Sequence, residues 1–130
     1  MSLMILLVGI GGGLGAISRF LVMQATSSFS SEIPFGVFLC NIIGSLTIGL
    51  IAAFLIKTNL FNEEISAYTR SLVVTGFLGG FTTFSSFSLD VLNLLQRGEV
   101  FIALGYIIAS VLVSILAVVL GFYLVMGVYK

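Results

Sequence analysis

Residues 76–88 read GFLGGFTTFSSFS. Three glycines, three phenylalanines within seven residues and five hydroxyls, with no charge, suit neither an amphipathic soluble helix nor an alternating strand. The composition of the whole chain supplies the frame. Only 8% of the 130 residues are charged and 59% are hydrophobic. No water-soluble domain of this size could keep so much apolar matter off its surface. The expected class is an all-α integral membrane protein.

Five basic and five acidic residues cancel, and histidine is absent. A basic nucleic-acid footprint and a histidine-based metal or acid-base site are therefore excluded, and with them nucleases, kinases and zinc enzymes. The reading is a non-enzyme with no nucleic-acid partner. Cys40 sits alone in an apolar run and reads as packing.

The few charges divide the chain. Leu3–Met23 is apolar except for Ser18 and Arg19, and Pro34–Ile56 carries no charge. Ala67–Leu95 is interrupted by Arg70 and Asp90, and Phe101–Tyr129 again carries none. Since about 20 apolar residues cross a bilayer, these are four transmembrane helices, at about 3–23, 34–56, 67–95 and 101–129. They form a single domain, 1–130, joined by the short connections QATSSFSSEI, KTNLFNEEIS and QRGEV. The first segment lacks a basic leading region and a small-residue cleavage pattern, so it is expected to stay as a helix.

Four spans put the termini and central loop, with Lys57, Arg70 and Lys130, on one side, and Arg19 and Arg97 on the other. Three against two is hardly a positive-inside bias. Such a chain can insert either way up and pair with an inverted copy about an axis in the membrane plane. The alternative is one dominant orientation set by features other than charge. Dimerisation would also double the helices available to enclose a path. GIGGGLGA offers close-packing pairs, Gly9 with Gly13 and Gly11 with Gly15, without saying which helix they meet. The G-x-G-x-x-A pattern at Gly11, Gly13 and Ala16 follows no strand and is discarded as a dinucleotide site.

Polar groups inside spans are costly and so informative. Asn41, Gly44, Ser45 and Ile48 share a face of the second helix; Tyr106, Ser110 and Ser114 repeat every fourth residue on the last, with Ala117 and Gly121 beyond. Interhelical hydrogen bonding explains any one of them. Together they form lines of uncharged donors, which suit a small anion better than a cation.

The third span, as a continuous helix of 29 residues, would be about 43 Å long against a hydrocarbon core of about 30 Å. Gly79, Gly80, Thr82 and Thr83 mark the place for it to break. Unwound backbone at membrane depth must be buried or line a cavity, and its free carbonyls suit a small hard cation. A kinked helix without an ion is the alternative. Phe84 and Phe87 then share a face beside that of Ser85 and Ser88. The edge of an aromatic ring is electropositive and can touch an anion without trapping it.

TGFLGGFTTFSSFSLD, with RF after GGGLGAIS, CNIIGS in the second span and the Y, S, S stripe of the last, resembles the CrcB/Fluc family of fluoride channels. The resemblance covers essentially the whole chain. It implies an antiparallel, dual-topology homodimer with two passive pores that sheds cytoplasmic fluoride, as a multi-pass protein of the inner (plasma) membrane in contact with lipid. By position it implies that Phe84 and Phe87 are pore rings contributed by both subunits and that Asn41 donates to fluoride. Tyr106, Ser110 and Ser114 would follow the pathway with Ser85 and Ser88, and Arg19 would draw anions into a vestibule. Carbonyls of Gly79 and Thr82 from both subunits would hold a structural sodium ion (Na+). Asp90 would make a packing or capping contact, while Phe81 and Ser86 fall at variable positions of the motif.

The competing function is a proton-coupled exporter of cations, similar to the small multidrug resistance transporters. It needs a titratable carboxylate in its chamber, and the first helix has none, leaving Asp90. A subunit serving assembly alone would leave residues 76–88 without a purpose.

Overall fold

The structure, a computed structural model, describes residues 1–30, 32–58 and 63–127. Helix α1 is Ser2–Ala25; a 3-10 turn, Ser27–Phe29, leads to α2, Phe35–Thr58. The third stretch begins as α3, Glu63–Thr69, continues as a π-helical run, Arg70–Leu78, and ends with the short α4, Gly79–Phe81. Thr82 and Thr83 then take extended conformations (φ −83°, ψ 157° and φ −155°, ψ 123°) before α5, Phe84–Gln96. Helix α6 is Val100–Gly127.

Four helical stretches among the described residues are long and apolar enough to cross a bilayer: Ser2–Ala25, Phe35–Lys57, Glu63–Gln96 and Val100–Gly127. The third starts four residues before the charge pattern indicated, because Glu63 and Glu64 in its first turn complement the positive end of the helix. The expected end of the last span at 129 lies outside the described residues. At 34 residues the third stretch would reach about 51 Å as a plain α-helix. In its π-helical run the hydrogen bonds reach one residue further back, which widens the helix and lays more residues into each unit of length.

Between 11% and 28% of each span is buried within the chain. Most of the apolar surface, Phe20, Phe101 and Leu116 among it, is exposed and demands lipid or another chain.

Two glycine-mediated helix pairs organise the bundle. A Cβ at Gly11 or Gly15 would overlap the carbonyl oxygen of Leu72 or Phe77, so α1 lies backbone to backbone on the π-helical run. Gly9 and Gly13 meet nothing within 4 Å, which decides between the two small-residue pairs of the sequence. On the other side α2 and α6 cross at Gly49 and Gly121, where a Cβ would overlap the carbonyl oxygens of Val118 and Leu46. In the membrane this intimacy substitutes for a hydrophobic driving force, since lipid tails are as apolar as leucine. Helix α5 closes the bundle against α2 and α6 through Val37, Phe87, Leu94, Ala103 and Tyr106.

Local signals set the ends of α5. The Thr83 hydroxyl accepts the Ser86 N–H at 3.1 Å as an N-cap. At the other end Gly98 (φ 78°) carries a Schellman turn, with Glu99 N–H donating to Leu94 O and Gly98 N–H to Leu95 O, both at 3.0 Å. The turn delivers the chain directly into α6.

The close crossing of α2 and α6 predicts that Gly121→Val destabilises the fold by about 1–3 kcal/mol, whereas Gly9→Ala changes it by less than about 1 kcal/mol. Unfolding of the purified protein in mixed micelles measures both; a Gly121→Val protein as stable as wild type would contradict the crossing.

Candidate functional site

The unusual chemistry of the chain gathers at the Thr82–Thr83 step. In an uninterrupted α-helix the N–H of Thr83 would donate to the carbonyl of Gly79, and that of Ser86 to the carbonyl of Thr82. Both donors are diverted. Thr83 N–H donates to Asn41 Oδ1 at 2.8 Å, and Ser86 N–H to Thr83 Oγ1 at 3.1 Å. The carbonyls of Gly79 and Thr82 thereby lose their ordinary helical partners.

Asn41 makes a second bond to the same residue, Nδ2 donating to Thr83 O at 3.1 Å. The two bonds fix the orientation of the amide, since only the oxygen can accept the N–H and only the nitrogen can serve the carbonyl. The side chain pairs with Thr83 as a neighbouring strand would. From α1, Arg19 Nη1 donates to Thr82 O at 3.3 Å, leaving that oxygen a second lone pair. Thr82 Oγ1 turns back to Leu78 O at 2.9 Å.

Beside this step lies a cleft of about 430 Å³. Asn41 and Ser45 of α2, Gly79, Thr82 and Thr83, Phe84 and Phe87 of α5, and Ser110 and Ser114 of α6 line it with aliphatic side chains. No charged side chain is among its lining residues. The sequence stripes on α2 and α6 thus face one space, because the glycine crossing of those helices turns both polar faces toward α5.

Phe84 is 77% exposed and Phe87 8%, with ring centroids 5.6 Å apart. One ring is presented outward and the other is anchored against Tyr106, 5.3 Å behind it. Ser110 is 6% exposed, with the Tyr106 side chain one turn before it on α6. Its hydroxyl lies on the cleft, where a ligand or water can add a hydrogen bond.

Four of the residues expected along the anion path and its vestibule are not on the cleft lining. Ser85 lies 3.2 Å from the Thr83 hydroxyl, and Ser88 Oγ donates to Phe84 O at 2.9 Å. Tyr106 is buried behind Phe87, its hydroxyl 3.4 Å from Asp90 Oδ2. Arg19 reaches the carbonyl of Thr82 from α1. Asp90 also borders a smaller polar cavity with Glu32, Asn93 and Arg97, apart from the cleft. Thr83, legible in the sequence only as part of the step, proves to be its hub; T-x-x-S ahead of a resumed helix was the available signal. The Asn41 amide bridge had no such signal, since residues 41 and 83 meet only in the fold.

Comparison with known proteins places this arrangement in context. The chain is 72% identical, over 130 residues and the full length of both chains, to the fluoride-specific ion channel FluC of Francisella tularensis subsp. mediasiatica. It is 69% identical over 130 residues to the FluC of Francisella philomiragia subsp. philomiragia, again over both full lengths. It is 45% identical to FluC 2 of Nitrobacter hamburgensis over 121 residues, 92% of this chain and 94% of that one. The family profile described as CrcB-like protein, Camphor Resistance (CrcB), matches residues 6–122. With a match across nearly its whole length and relatives of this identity, the chain belongs to the CrcB family.

Proposed function

We propose that this chain is the subunit of a passive, fluoride-selective ion channel that lets cytoplasmic fluoride leave across the inner membrane, as a single domain spanning 1–130. The observation that carries the reading is the uncharged cleft that joins an amide, hydroxyls and two phenylalanine rings, in a chain whose full-length relatives are named fluoride-specific ion channels. A small, strongly hydrated anion needs donors to replace its water, and conduction needs the absence of a fixed charge that would hold it. In this reading Asn41, Ser110 and Ser114 offer donors, the ring edges of Phe84 and Phe87 offer weak positive potential, and Tyr106, Ser85 and Ser88 continue the path beyond the cleft. Arg19 draws anions toward a vestibule.

Two copies in opposite orientation complete the assembly. The near-balanced charge supports dual topology, and the outward-facing Phe84 supports a pathway finished by a second subunit. The Thr82–Thr83 step is then the functional break of the third span. The diverted donors fit a cation site there: carbonyls of Gly79 and Thr82 are released from helical bonding, and two from each copy would give an all-oxygen site for sodium. When bound, sodium would supply charge to hold the two breaks together; the chain itself supplies the carbonyls and the side chains that free them.

The proton-coupled exporter is not favoured. Its one candidate carboxylate, Asp90, faces the Tyr106 hydroxyl and lies off the cleft.

Liposomes holding the purified protein and loaded with fluoride or chloride salts test the function: a potassium ionophore should trigger rapid fluoride release with little chloride release and no need of a proton gradient. Retained fluoride would overturn the reading. Phe84→Ile and Phe87→Ile should each slow fluoride efflux about fivefold or more with the dimer still assembled, the scale expected when a ring contact of about 1 kcal/mol or more is lost; undiminished efflux in both would remove the rings from the pathway. Terminal tags should be reachable from both faces of the membrane across a cell population, and labelling from one face alone would contradict dual topology.

A further inference from the structure

We propose that Asn41 is a positioning residue: its amide holds the third span open at Thr82–Thr83 and thereby keeps the Gly79 carbonyl out of the helix. The geometry is specific. The N–H that would close the helical turn onto Gly79 is the one that Asn41 Oδ1 accepts, at 2.8 Å, and the amide nitrogen of the same side chain secures the carbonyl of Thr83 at 3.1 Å. Asn41 thus satisfies both backbone groups of a residue in extended conformation (φ −155°, ψ 123°). Lipid offers neither group a partner, and each one left unpaired in the membrane would cost several kcal/mol.

The alternative partner for the Thr83 N–H lies within its own span, at Gly79, and costs no tertiary contact. Nothing in GGFTTF forbids helix outright: it holds no proline, and threonine disfavours helix by less than about 1 kcal/mol. A side chain from another span therefore decides between two hydrogen-bonding schemes. Gly44, one turn after Asn41 on α2, is the seat of that decision. A Cβ there would overlap the methyl group of Thr82, so α2 approaches the step closely enough for a side chain as short as asparagine to reach it.

The same amide faces the cleft, so one residue joins the anion path to the carbonyls of the break. Asparagine carries two amide hydrogens, and Thr83 O takes one; the other is left for the cleft. The consequence for sodium rests on the cation site proposed above; the conformational claim does not.

Carbon chemical shifts of Thr83 in the reconstituted full-length protein separate extended from helical backbone and give the direct test. Wild type should report extended Thr83. Asn41→Leu, which keeps the bulk and removes both bonds, should move Thr83 toward helical shifts, and Asn41→Ala serves if the leucine variant does not assemble. Asn41→Asp, which keeps an acceptor for the Thr83 N–H, should restore the extended shifts. Extended Thr83 in both apolar variants would overturn the proposal. A sodium titration followed by sodium resonance broadening reads the consequence: loss of the two bonds should raise the half-saturating concentration about tenfold or more, while Gly9→Ala leaves it within about twofold. Equal sodium requirement in wild type and Asn41→Leu, with sodium binding intact, would overturn the link to the Gly79 carbonyl. Wild-type protein that binds no sodium would sink the cation site, leaving the shifts of Thr83 to decide the role of Asn41.

Discussion

A backbone N–H or carbonyl inside a bilayer must find its partner in the protein, and at Thr82–Thr83 the partner is not the helix. Three side chains from three places meet this demand. Asn41 on α2 takes both groups of Thr83, Arg19 on α1 takes the carbonyl of Thr82, and the Thr83 hydroxyl caps the resumed helix. The extended step exists because α1 and α2 stand close enough to serve it. Their placement in turn follows from glycine, which lets α1 lie on the π-helical run and α2 on α6 at distances no Cβ would allow.

This dependence explains why the polar inventory is so economical. A membrane chain with few charges has little from which to build an ionic site, and its cleft is lined by dipoles, hydroxyls and rings. Freed carbonyls and uncharged donors come from one local interruption. Helix α5 begins there with Phe84 and Phe87, so the interruption also sets where the rings stand. The buried ring is braced from behind by Tyr106, whose hydroxyl reaches Asp90 on α5, tying that helix to α6.

Much of this was legible in residue order, and particular residues show where legibility stopped. The apolar spans were visible because hydropathy is a sum over neighbours in the chain. Gly79, Gly80, Thr82 and Thr83 stood out because they are poor companions in a helix. The stripes of Asn41 and of Ser110 with Ser114 followed from helical periodicity, and the cleft brings them together. Tyr106 shares the stripe of Ser110 yet turns behind Phe87, since periodicity gives a face but not which neighbour covers it. Arg19 was expected at a vestibule; its bond to Thr82 lies 63 residues away and carries no trace in local sequence.

The sequence by itself determined the solvent this protein lives in, the number of crossings and the segment that resists being a helix, because each depends on composition or short-range spacing. Tertiary structure alone decided which of two glycine pairs is packed within the chain and which side chains pair with the backbone of Thr82 and Thr83. Hydrogen bonds between residues 41 and 83, or 19 and 82, exist only once four helices share one space. Within a bilayer such bonds are compulsory, and so the conformation of GFLGGFTTFSSFS depends on what the first two helices bring to it.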